Sequence, residues 1–383
     1  MTTRSPHSSA VDQTSTDLAV ASASAAETSC LLRRTANCLS FLSSRSRTPR
    51  TYPRLPLPSK ERLEASLTET SLGVENLSRS GLEAAKEKGK TILYLAYGSN
   101  LCNETFRGRR GIKPLSRVNV LVPSLLLVFD LPGIPYQEPC FANSALRDPE
   151  AGKEGKEDYH KDRWHKGMVG CVYEVTPSDY AHIIATEGGG SEYQDILVPC
   201  YVLPSDIETV PGPPSSAPFM AHTLFAPVTS KTRVARPDPS YAQPSARYLK
   251  LITDGAAELD LPREYQNYLN DIRPYTITTK RQEMGQKLIV VVWWPILMVL
   301  FAIIKRLQDD KGRSPKWVGT LMGWIFLGLW MSYDGVLKTV FGDGERTEGE
   351  DDDDSTIQKN KKRGVEGMEC PWRGHDVEKQ ALV

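Results

Sequence analysis

Two runs of seventeen residues without a charge, at 288–304 and 317–333, constrain this chain more than any other feature. Side chains so uniformly apolar must leave water, either into a bilayer or into a protein core. At 1.5 Å per residue each run makes a helix of about 25 Å, near the lower limit for a span and matched to a thin bilayer such as the endoplasmic reticulum. Lys287 and the pair Lys305, Arg306 bracket the first run, and Trp293, Trp294, Trp317, Trp324 and Trp330 supply interfacial or packing aromatics. Gly319 and Gly323 form a GxxxG pair suited to close helix approach. The expectation is a C-terminal two-helix transmembrane hairpin over 283–335, with spans 288–304 and 317–333; two buried helices of a soluble domain are the alternative. The linking loop carries Lys305, Arg306, Lys311, Arg313 and Lys316, and the preceding flank carries Arg273, Lys280, Arg281 and Lys287. Positive charge therefore leaves the orientation nearly balanced.

Composition narrows the partners. Lys plus Arg equals Asp plus Glu at 47 each, so no net field points to nucleic acid. The seven cysteines are odd in number and contain no CxxC pair, which argues against a disulfide framework or a structural zinc site. Free cysteines and the lack of a secretory h-region favour a reducing compartment, with the folded domain on the cytosolic side of an intracellular membrane. Cys102, Cys140, Cys171 and Cys200 sit among apolar residues and read as core fillers. His160, His165 and Cys171 lack metal-ligand rhythm, so no metal or other cofactor is expected.

Residues 1–88 are rich in Ser, Thr, Ala, Pro and Arg without apolar period, and read as disordered. Order is expected from 89 to 282. Strand signals lie at 91–98, 118–131, 168–175, 195–203 and 219–228. A helix is announced at 176–187, with Thr176 as N-cap, Pro177 at its first position, Asp179 completing the capping box and Gly188 to Gly190 as stop. Another follows at 260–272, where Leu261, Tyr265, Tyr268, Leu269 and Ile272 recur at helical spacing. Several strands and few helices make a mixed α+β domain. Polar stretches at 147–166 and 204–245 read as surface insertions, and 336–383 as a charged, disordered tail.

Candidate chemistry gathers at two places. Gly98, Ser99, Asn100 and Leu101 follow an apolar strand and can aim backbone N–H groups at an anion, although Gly-Ser-Asn is also ordinary turn chemistry. Glu187 ends a glycine-stopped helix, where the negative end of the dipole disfavours ionisation; in the same place an exposed, solvated glutamate is common. Ser99 is not in a GxSxG elbow, and Gly188 to Gly190 lack the Lys and Ser/Thr of a phosphate loop.

The stretch YLAYGSNL (94–101) resembles the opening strand and loop of the γ-glutamyl cyclotransferase family. Three further segments match in order: FANSAL (141–146), GMVGCVYEVTPSDYAHIIATEGGGSEYQDILV (167–198) and PSARYLKLITDGAAELDLPREYQNYL (244–269), the last resembling the family's closing strand and helix. The resemblance covers about 91–275. It implies a mixed α/β fold around a small β-barrel-like sheet, with Glu187 as general acid and base and with Tyr97, Tyr193 and Tyr248 lining a glutamyl pocket beside Gly98, Ser99, Asn100 and Leu101. The implied partner is a small γ-glutamyl substrate, cyclised to 5-oxoproline by its own α-amine. The amine released could belong to a γ-glutamyl amino acid, a glutathione conjugate as in sulfur-rich fungal toxin precursors, or an isopeptide lysine; an inactive binding module of the same fold is the alternative.

Overall fold

The computed structural model describes residues 51–70, 89–147, 164–186, 194–226, 236–307 and 316–348. The chain divides into a unit ending at Tyr52 and a second running from Pro53 to Val383, and the second holds all the elements that follow.

In chain order these are α1 (Lys60–Ala65), β1 (Ile92–Ala96), a 3₁₀ turn (Ser99–Leu101), a π-helical turn (Glu104–Arg109), β2 (Ser116–Val122), β3 (Leu125–Ile134), β4 (Glu138–Leu146), β5 (Met168–Val175), α2 (Pro177–Thr186), β6 (Gln194–Val202), β7 (Pro218–Phe225), α3 (Ala246–Glu258), α4 (Arg263–Asp271), α5 (Lys280–Leu307), α6 (Lys316–Ser332), a π-helical turn (Tyr333–Leu337) and α7 (Lys338–Phe341). The order β1–β5–β2–β6–β7 closes into a barrel, and β3 pairs with β4 as a separate hairpin. Four barrel pairings are antiparallel; the seam between β7 and β1 is parallel and joins His222 to Tyr94. β1 is buried at every position, as expected of a strand covered on both faces, whereas β3 alternates between buried and half-buried side chains. Cys102, Cys140, Cys171 and Cys200 are free and buried, as their apolar neighbours suggested.

Helix α2 begins as expected: Thr176 Oγ1 accepts the Asp179 N–H at 3.1 Å. The segment expected to form a closing strand is helical instead. Ser245 caps α3 by accepting the Tyr248 N–H at 3.0 Å, and Leu249, Ile252 and Ala256 face the core at helical spacing. α3 lies against the 3₁₀ turn so closely that a Cβ on Gly255 would stand 2.4 Å from Cys102 N and Leu101 C.

Residues 53–70 do not follow the expectation of disorder; they form a strap over the barrel. Leu55 and Leu63 pack on the core, and the Arg117 N–H donates to Pro56 O at 2.9 Å. Arg62 donates to Thr91 Oγ1 and Thr91 O at 2.7 and 2.8 Å. Ser66 is fully buried, and its Oγ accepts the Met220 N–H of β7 at 2.8 Å, satisfying a strand amide near the seam. The stretch 204–218 likewise packs down: Val210 is buried, its N–H donates to Glu264 and its carbonyl accepts from Lys166 Nζ.

At the C-terminal end two helices appear where the uncharged runs lie, but the pair of spans is not supported. Among the described residues, only the stretch Lys280–Leu300 of α5 is long and apolar enough to cross a membrane, judged by length and composition. α6 has 17 residues and packs at its base on Tyr136, at the tip of the β3–β4 hairpin, together with Ile289, Leu329, Trp330, Tyr333 and Leu337. The helices approach each other at Gly328, where a Cβ would meet the Trp293 ring at 3.2 Å, and again where Leu300 and Val318 are buried together. Tyr136 has a left-handed φ of 61° and is held from all sides. Its N–H donates to Gly344 O at 2.7 Å, its carbonyl accepts from Gln286 at 2.9 Å, and its hydroxyl lies 3.0 and 2.8 Å from Leu337 O and Gly342 O. Residues 336–348, expected in the tail, belong to this joint. Glu345 is buried and pairs with Arg236 at 2.6 Å; burial raises its pKa against the pull of that guanidinium.

Candidate active site

The apolar sequence of β1 makes it a central strand, so the chain leaving it at Tyr97 is delivered to one end of the barrel. There the 3₁₀ turn starts from Gly98, with no side chain capping it. The first N–H groups of such a turn have no partner within it. Gly255 lets α3 press on Leu101 and Cys102, and this contact sets the height of the turn. From the other side, Asn143 Nδ2 donates to Ala226 O at 3.0 Å and its Oδ1 accepts the Ala226 N–H at 3.3 Å, docking β4 beside β7.

One cavity results, lined by Tyr94, Tyr97, Gly98, Ser99, Asn100, Ala142, Leu224 and Tyr248. Three tyrosine hydroxyls are tied to its walls. Tyr97 donates to Leu224 O at 3.0 Å, Tyr94 accepts from Asn100 Nδ2 at 2.8 Å, and Tyr248 accepts the Ala142 N–H at 3.2 Å. The Tyr248 ring meets Phe141 edge-on at 5.0 Å. The fold thus brings together Tyr97, Gly98, Ser99, Asn100 and Tyr248, which are separated by up to 151 positions in the chain. Leu101 differs: its side chain is fully buried in the core and does not line the cavity. Glu187 and Tyr193 lie outside the described residues. They fall between Thr186, the end of α2, and Gln194, the start of β6. Among the described residues no group of three His, Cys, Asp or Glu converges as metal ligands would.

Residues 279–339 match the family described as the AclK C-terminal domain. The gamma-glutamyl cyclotransferase gliK of Aspergillus fumigatus is 32% identical over 270 residues, which cover 69% of this chain and 93% of that protein. This chain belongs to the γ-glutamyl cyclotransferase family. The gamma-glutamyl cyclotransferase aclK of Aspergillus oryzae is 29% identical over 276 residues, 70% of this chain and 95% of its own. A solved structure of a gamma-glutamyl cyclotransferase shares 21% identity with a TM-score of 0.34, covering 50% of this chain and 93% of that one.

The cyclotransferase also holds a buried polar cluster that its sequence did not single out. His222 on β7 is 2% exposed, with Nδ1 at 3.1 and 3.0 Å from the two oxygens of Asp195 on β6 and Nε2 at 3.4 Å from Glu69 of the strap. The Tyr180 hydroxyl on α2 donates to Asp195 Oδ1 at 2.5 Å. Burial by itself would lower the His222 pKa; the contacts with Asp195 and Glu69 outweigh it and raise the value to about 9. Asp195 and His222 are 27 positions apart and meet only through the β6–β7 register, in which His222 stands opposite Leu197 and Asp195 two residues along on the same face. No local motif announces that pairing.

Proposed function

We propose that this cyclotransferase releases 5-oxoproline from γ-glutamyl amides, with Glu187 moving the protons and the Tyr97–Asn100 loop and Tyr248 holding the glutamyl unit. The observation that carries the reading is the convergence of that loop with Tyr248 in one cavity, in a chain of this family. The substrate's α-amine nitrogen bonds to its own γ-carbonyl carbon, so the protein need not supply a nucleophile. An ionised Glu187 takes a proton from that nitrogen; the carbonyl electrons move to oxygen, where amides of the loop can donate. As the oxyanion collapses, the bond to the leaving nitrogen breaks and Glu187 returns the proton to it. The products are 5-oxoproline and a free amine, and the carboxylate is regenerated. Substrates with a free glutamyl α-amine and a γ-amide qualify, including γ-glutamyl amino acids and γ-glutamyl-cysteinyl groups on glutathione conjugates. The test is 5-oxoproline release by the full chain across a γ-glutamyl panel. Glu187→Gln is expected to abolish turnover while leaving the melting temperature unchanged, and a wild-type protein inert on every member of the panel overturns the reading.

We further infer that the α5–α6 pair seats the enzyme on an intracellular membrane, with the barrel on the cytosolic side. Supporting this, exposed large apolar side chains concentrate here: Val291, Val299, Trp324 and Met331 are 60–71% exposed. Co-flotation of the full chain with phospholipid vesicles, lost in a Val291→Asp, Val299→Asp double variant of unchanged activity, is the expected result. Equal recovery of both proteins from the vesicle-free fraction overturns it.

A further inference from the structure

The cluster around His222 reaches the cavity wall without entering the proton transfers. His222 and Tyr94 are partners across the barrel seam, and partners on neighbouring strands project to the same face. The Tyr180 ring lies against both, 5.9 Å from Tyr94 and 5.8 Å from His222 between ring centres. Tyr94 lines the cavity and accepts from Asn100 of the loop. The same hydroxyl of Tyr180 that donates to Asp195 also ties α2 to β6. α2 ends at Thr186 and β6 starts at Gln194, so this bond clips together the two elements between which Glu187 lies in sequence.

The protonation pattern of the cluster follows from its geometry. The His222 ring lies between two carboxylates, with Nδ1 3.0 Å from Asp195 and Nε2 3.4 Å from Glu69, and their combined charge favours the imidazolium. Neutralising the ring would weaken the hold on Asp195, whose side chain is 1% exposed and also accepts from Tyr180.

We infer that His222 is a positioning residue of the cyclotransferase reaction, acting through Asp195 and Tyr180 on the Tyr94–Asn100 wall of the cavity and on the two element ends that flank Glu187. The inference rests on Glu187 being the proton shuttle. His222 does not line the cavity, so it touches no reacting atom. Its effect is on orientation, where small displacements cost rate more than affinity.

The groups facing His222 are Asp195 from β6, Glu69 from the strap, Tyr180 from α2 and Tyr94 from β1. The experiment measures kcat, KM and the pH profile of 5-oxoproline release in the full chain. His222→Gln is expected to lower kcat by roughly ten- to a hundredfold with KM within about threefold, and to abolish the wild-type fall in kcat on the alkaline side. Glu69→Gln, at a residue 27% exposed, decides the matter if His222→Gln does not fold; it is expected to move the alkaline fall to lower pH with KM unchanged. Tyr180→Phe is expected to lower kcat while keeping the alkaline fall. Glu187→Gln is assayed beside them. If it stays active, the shuttle assignment fails; if it is inactive while Glu69→Gln and any folded His222→Gln keep the wild-type kcat and pH profile, the positioning role is overturned. A loss of kcat that only mirrors the fraction of unfolded protein overturns it equally.

Discussion

At the scale of single residues, Gly255 has the narrowest tolerance. A methyl group there would overlap the backbone at Leu101 and Cys102, atoms that cannot swing aside. Gly255→Ala is expected to cost about 1–3 kcal/mol of stability and to displace the cavity loop. Chemical denaturation paired with the 5-oxoproline assay would show both losses together. His222 gives a pH signature. Its pKa of about 9 in the folded protein lies above its usual 6.5, so the stabilisation is complete below pH 6.5 and disappears as pH rises through 9. A shift of that size corresponds to at most about 3 kcal/mol. Urea midpoints for the full chain at pH 6.5, 8 and 9.5 are expected to fall in that order, and His222→Gln to flatten the trend.

At the scale of elements, the strap and α3 show what the sequence made legible. β1 is legible because a strand buried on both faces is apolar throughout, β5 because it is nearly so with Glu174 its one charge, and α2 because Thr176, Pro177 and Asp179 cap it locally. α3 differs from the closing strand that the family resemblance implies for its segment; the cap at Ser245 and the close packing at Gly255 select the helix. The strap is illegible in the sequence for a different reason. Six helical residues cannot hold themselves together, and its order comes from contacts with residues far along the chain. The loop of the cavity was visible as a motif, but Tyr94, Ala142 and Leu224 join it only through the barrel. Ser66→Ala removes the acceptor of a half-buried β7 amide and is expected to cost about 1 kcal/mol. Amide exchange should then accelerate first at Met220, and unaltered protection there would refute the strap's part in closing the barrel.

For the whole molecule, the joint at Tyr136 decides whether the C-terminal helices and the barrel move as one body. Its ring meets Tyr333 edge-on at 5.6 Å, and Arg236 lies 4.0 Å over Trp330 while bridging Asp334 and Glu345. Tyr136→Ala is expected to cost about 3–5 kcal/mol at this joint. Limited proteolysis would then cleave between the barrel and α5 before the barrel itself is degraded. The two uncharged runs suggested an independent membrane module, because their contacts with the β3–β4 tip depend on residues more than a hundred positions upstream.

The strap also sets an order of events during synthesis. Ser66 leaves the ribosome early, yet the amide it accepts belongs to Met220, 154 residues later. At ribosomal speeds of about 5–20 residues per second, the leading segment must stay undocked for roughly 8–30 s before its binding edge exists. Through that interval Leu55 and Leu63 have no core to cover, so the nascent chain presents them to whatever chaperones wait at the exit tunnel.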